Sequence, residues 1–174
     1  ARDSDVRRIE SPFCTVVVGF DESARNAWVS FRGTADVGGS DDRLRFLLDW
    51  ASNLSVSPVS ALGGEVHLGF WESFSAVADE LFGLLGAAHD FDSLEFCGHS
   101  RGGALAVVAA RRAVEWLDVS KLRVVTFGAP SIADRAFLDP IADSVIRVEN
   151  GLDVVPFLPP RGAASGVIGT ILPR

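Results

Sequence analysis

Leu94-Glu95-Phe96-Cys97-Gly98-His99-Ser100-Arg101-Gly102-Gly103-Ala104-Leu105-Ala106-Val107-Val108-Ala109-Ala110 decides the fold. Leu94 to Cys97 reads as a short buried strand. Ala104 to Leu117 reads as a helix, apolar all round its first two turns and therefore largely buried. Between them lie glycines two residues before and two after a serine. A strand that turns at once into a buried helix is a building unit of a sheet with helices packed on it.

Outward from this unit the same alternation continues. Thr15 to Phe20 and Ala27 to Phe31 read as neighbouring strands joined by the polar turn Asp21 to Asn26. Ala35 to Arg43 and Ser55 to Gly64 read as loops. Leu44 to Leu54 has helical spacing. Phe70, Phe74, Val77, Leu81, Leu84, Leu85 and Ala88 step by three and four, which puts one apolar stripe on a core-facing helix from Phe70 to Ala88. Leu122 to Phe127 and Ser144 to Val148 read as further strands. The expected fold is α/β: a mainly parallel sheet with helices on both faces. The 174 residues suit one domain, 1–174. Both ends are read as cut, so that the domain is incomplete at each, and location in or outside the cell is left open.

Composition narrows the function. Hydrophobic residues make up 48% of the chain, as in a globular protein. The net charge is −7 with no basic cluster, which argues against nucleic acid as partner, because phosphate neutralisation needs Lys and Arg. The longest unbroken apolar run, Ala104 to Ala110, is far short of the ~20 residues of a membrane span. Cys14 and Cys97 lie in separate strand-like runs and read as free, buried thiols; no Cys/His spacing suggests a metal.

The chemistry concentrates at strand ends, where open α/β sheets gather their sites. Gly98-His99-Ser100-Arg101-Gly102 sits between strand and helix, the setting in which a tight turn lifts a serine hydroxyl into the open as a nucleophile. The bland alternative is a glycine-rich turn with a serine helix cap. A serine nucleophile needs a base, an acid to orient the base, and donors for the oxyanion. The N–H of Arg101 is one candidate donor, and Thr34, just past the strand Ala27 to Phe31, is another. Asp153, set among apolar residues after the strand Ser144 to Val148, is the candidate acid; alone it reads more readily as a loop acid or helix cap.

Five segments in order then resemble the class 3, or fungal-type, lipases of the α/β-hydrolase superfamily. They are Val29-Ser-Phe-Arg-Gly-Thr34, Val66-His-Leu-Gly-Phe70, Gly98-His-Ser-Arg-Gly-Gly-Ala-Leu-Ala106, Thr126-Phe-Gly-Ala-Pro130 and Asp153-Val-Val-Pro-Phe-Leu-Pro159. The resemblance implies Ser100 as nucleophile, Asp153 as triad acid, and Thr34 with the Arg101 N–H as the oxyanion hole. It implies no cofactor and no metal. It implies a lipid or ester substrate met at a lipid–water interface through a lid, with Leu44 to Leu54 as the lid's counterpart and Trp50 just behind it.

The resemblance also puts the catalytic histidine well after the acid, whereas His67, His89 and His99 all precede Asp153. The base is therefore expected from outside these residues. Arg101 stands where an apolar residue is common in the family and is expected to bring a charge beside the site. The activity implied is serine-dependent hydrolysis of lipid esters. Phospholipase, galactolipase or feruloyl-type esterase activity on the same scaffold is the alternative, and a catalytically inactive lipase-like binding protein is the rival from another class.

Overall fold

The computed structural model describes residues 5–33, 58–87, 91–117, 120–151, 153 and 155–157. Six strands form one sheet. They are β1 (Asp5–Ser11), β2 (Cys14–Asp21), β3 (Asn26–Phe31), β6 (Ser93–His99), β7 (Leu122–Phe127) and β8 (Val145–Val148), hydrogen-bonded in that order. β1, β2 and β3 are antiparallel neighbours, whereas β3, β6, β7 and β8 run parallel. Between β3 and β6 the chain makes a separate hairpin, β4 (Pro58–Ala61) and β5 (Gly64–His67), and then helix α1 (Leu68–Ala87). Helix α2 (Arg101–Ala113) joins β6 to β7, and a short helix α3 (Arg135–Leu138) precedes β8. The mainly parallel α/β architecture expected from the sequence is the one observed.

Period-two burial explains the sheet. Val16, Val18, Ala27, Val29, Phe31, Leu94, Phe96 and Val124 share one face and are all but sealed from solvent. Burying each larger apolar side chain contributes roughly 1.5–3 kcal/mol. Among the described residues both long helices lie together on this face, α2 over β3, β6 and β7 and α1 over β1 and β2. The other face carries half-buried Val17, Trp28, Cys97 and Val125, and exposed Phe127, Ile146 and Val148.

Three elements differ from the sequence reading. β1 is a strand where none was expected; Ile9 is buried, while Val6, Arg7, Arg8 and Glu10 around it are exposed. The expected loop Ser55 to Gly64 contains β4 and the turn to β5. That turn holds Leu62 and Gly63 at φ 51° and 83°, the pattern of a two-residue hairpin loop with both central residues left-handed. Helix α2 starts at Arg101, directly after the serine turn as expected, but extends only to Ala113 rather than to Leu117. Its hydrogen bonds run on past Ala113, the Leu117 N–H reaching the Ala113 carbonyl at 2.9 Å.

Both cysteines are free; Cys14 is buried and Cys97 half-buried. Burial pushes the Cys14 thiol up to about 11, the Arg101 charge opposing the shift, so at neutral pH it is an uncharged apolar filler. No helix among the described residues is long and apolar enough to cross a membrane.

Candidate active site

Ser100 lies between the end of β6 and the start of α2 at φ 54°, ψ −123°. Residues with a Cβ avoid this region, at a cost of order 1–3 kcal/mol unless neighbours impose it. The neighbours here do impose it. The Ser100 N–H donates to the Phe127 carbonyl at 2.7 Å, and its own carbonyl accepts from the N–H groups of Gly103 and Ala104 at 3.0 and 3.3 Å. Two glycines make the turn passable. A Cβ on Gly98 would overlap the Gly102 backbone, and a Cβ on Gly102 would overlap the Phe31 carbonyl oxygen.

Gly102→Ala should therefore push α2 off β3, at the ~1–3 kcal/mol typical of overpacking. Urea unfolding of the variant checks this; an unchanged midpoint would mean that the elbow gives way more easily than its contacts imply.

The Ser100 hydroxyl makes no capping bond to α2. An N-cap serine normally accepts a hydrogen bond from the second or third helical N–H, so the bland reading of this residue lacks its defining contact. Among the described residues nothing bonds the hydroxyl. Arg101 is the first residue of α2, so its N–H has no acceptor within the helix. It is left pointing out at the helix's positive end.

Asp153 comes to the same edge of the sheet. Its N–H donates to the Asn150 carbonyl at 2.8 Å, and its Oδ1 accepts from the Val155 N–H at 3.0 Å. Its Oδ2 lies against Gly128, 2.5 Å from where a Cβ would stand. Gly128 has φ 53° and follows Phe127, whose carbonyl holds Ser100. Ser100 and Asp153 thus flank one strand end, 53 residues apart in the chain. Thr34, Leu44 to Leu54 with Trp50, His89 and the residues after Phe157 fall outside the described residues.

Neither of the two described histidines bonds the hydroxyl. His67 is buried, accepts the Gly69 N–H on Nδ1 at 3.1 Å and meets Phe70 edge-on at 5.5 Å. His99 is exposed; its Nδ1 would lie 3.5 Å from a Cβ on Gly33 and its Nε2 3.9 Å from one on Gly128.

The Arg101 charge has a protein partner: Nη2 donates to Ser73 Oγ on α1 at 2.8 Å. Ser73 and Gly128 were not singled out in the sequence. Ser73 looks like any small residue on a helix; the hint to Gly128 is its place at the end of the strand Leu122 to Phe127. No group of three His, Cys, Asp or Glu among the described residues is arranged to hold a metal.

Comparison with known proteins gives the family and the fold. A family model described as lipase (class 3) matches residues 28–163. The secreted mono- and diacylglycerol lipase 1 of Fusarium solani is 30% identical over 152 residues, 82% of this chain and 42% of that protein. The solved structure of Rhizomucor miehei triacylglyceride lipase superposes with a TM-score of 0.68 at 26% identity, over 90% of this chain and 62% of that one. Lipase II from Rhizopus niveus shares the α/β-hydrolase fold, with a TM-score of 0.74 at 21% identity over 92% of this chain and 63% of that one. The chain thus spans from about two-fifths to three-fifths of the length of these relatives.

Proposed function

The chain belongs to the class 3 lipases, and from that premise we propose that the protein hydrolyses lipid esters with Ser100 as its nucleophile. The observation that carries the reading is the strained Ser100 turn with its hydroxyl unused by the helix it begins. Ser100 Oγ attacks the ester carbonyl. The oxyanion that forms is held by the Arg101 N–H together with Thr34. The alcohol leaves with a proton from the base, and water then releases the acyl group by the same route in reverse.

Asp153 Oδ2 orients that base. The base in this reading is a histidine from beyond these 174 residues, as the resemblance implies by placing it after the acid; of the described histidines, His67 is engaged with the start of α1, and His99 makes no bond to the hydroxyl. Acylglycerols are the substrate class, in line with the names of the relatives. Leu44 to Leu54 is the segment to test for a lid at the lipid–water interface.

The test is fatty-acid release from diolein and triolein emulsions, phosphatidylcholine vesicles and p-nitrophenyl butyrate, by the protein in its full natural length and by residues 1–174 alone. Turnover of acylglycerols by the full-length protein is expected, with the shorter chain far slower. Turnover of phosphatidylcholine alone would move the substrate class. No turnover of any ester would favour a lipase-like binding protein without chemistry.

A further inference from the structure

The side chain next to the nucleophile enters a polar chain that the elbow itself does not require. Arg101 Nη2 donates to Ser73 Oγ at 2.8 Å, and Ser73 Oγ donates to the Gly69 carbonyl at 2.6 Å. The Gly69 N–H is held by His67 Nδ1 at 3.1 Å, and the His67 N–H donates to the Ile132 carbonyl at 2.8 Å. The chain therefore runs from the end of β5 through the first turns of α1 to the first residue of α2. Burial holds the Arg101 guanidinium below its ordinary range, with the Cys14 thiol opposing. A half-buried guanidinium bonded to one neutral hydroxyl is a poor source of stability, so another role is indicated.

We propose that the Arg101 side chain is a positioning residue for the nucleophile, an inference that rests on the reading of Ser100 above. The strained turn is held toward β7 by the bond from Ser100 to Phe127 and toward β3 by the fit of Gly102 against the Phe31 carbonyl. Toward α1, the bond between Arg101 and Ser73 is the polar tether. An apolar side chain there would pack against α1 without direction. A guanidinium bonded at a fixed point sets how far the first turn of α2 rotates about its axis. The Arg101 N–H leaves the same Cα as that side chain and turns with it. The Ser73 contact thereby sets the aim of the oxyanion donor as well as the height of Ser100.

Arg101→Leu, Arg101→Lys, Ser73→Ala and the Leu/Ala double variant of the full-length protein test this, with p-nitrophenyl butyrate as substrate. Rates are counted per serine labelled at saturation by a fluorophosphonate probe. Arg101→Leu should lower kcat between about ten- and a hundredfold, the scale of a small misplacement of reacting groups, with KM changed less than about twofold. Ser73→Ala should do much the same, and the double variant no worse than the worse single one, because one contact is lost in each. Lysine, whose ammonium can reach Ser73 Oγ, should recover most of the rate. A wild-type kcat in Arg101→Leu overturns the inference. A raised KM with kcat intact also overturns it, by making the charge a substrate contact, as does an additive double variant. The Ser100 reading fails separately: the wild type would then neither turn over esters nor take the probe.

Discussion

Ester hydrolysis by the full-length protein should fall on the order of a millionfold in Ser100→Ala, the scale set by removing the serine of other serine hydrolases. In the proposed mechanism the hydroxyl is the nucleophile that the turn between β6 and α2 presents, and no side chain or helix end competes for it among the described residues. Without it the oxyanion donors still bind the carbonyl, but no acyl-enzyme forms and attack must come from water. The substitution suits the fold. Alanine keeps the Cβ that the turn already accommodates at φ 54°, and no hydrogen bond of the hydroxyl is lost. The thermal midpoint should therefore stay close to that of the wild type while turnover vanishes. A fluorophosphonate probe should label the wild type at Ser100, located by peptide mass, and leave the variant unlabelled. Turnover within tenfold of wild type in the variant would mean that another residue does the chemistry.

The elbow was legible in the sequence because its physics is local. Strand, turn and helix follow within a dozen residues, and the glycines at 98 and 102 are required by contacts with one another and with Phe31. Asp153 was legible only as a strand-end acid. That its carboxylate meets Gly128 depends on the order in which β6, β7 and β8 pair, which no run of residues states. β1 was hidden because an edge strand buries little; Ile9 alone of it enters the core, and the charges around it break the apolar alternation that marks a strand. The β4–β5 hairpin was hidden by Leu62, which takes the left-handed position where asparagine or glycine would have signalled a turn. The contact between Arg101 and Ser73 was hidden for another reason. Its partners are 28 residues apart on two helices, and no local pattern pairs them.

Asp153→Asn should leave the fold intact and lower kcat about ten-thousandfold, as losing the triad carboxylate does in other serine hydrolases. On the proposed reading the side chain has two separable tasks. Oδ1 accepts the Val155 N–H at 3.0 Å, closing a short turn that fixes the segment after β8. Oδ2 faces the Gly128 edge, where among the described residues no donor meets it, and there it can accept an imidazole N–H. Asparagine keeps the first task with its carbonyl oxygen. Its amide then points toward Gly128 and offers the base a donor where an acceptor is needed. The histidine is driven into the tautomer whose proton faces Ser100, and it can no longer take the serine's proton. Asp153→Ala separates the tasks further. It removes both contacts, so it should lose activity and also the ~1 kcal/mol of a net hydrogen bond, visible as a lowered urea midpoint that Asp153→Asn does not show. Probe labelling of Ser100 should slow in both variants, since the serine is activated through the same base. If Asp153→Asn keeps its rate within tenfold of wild type, Asp153 is a turn residue alone and the acid lies elsewhere.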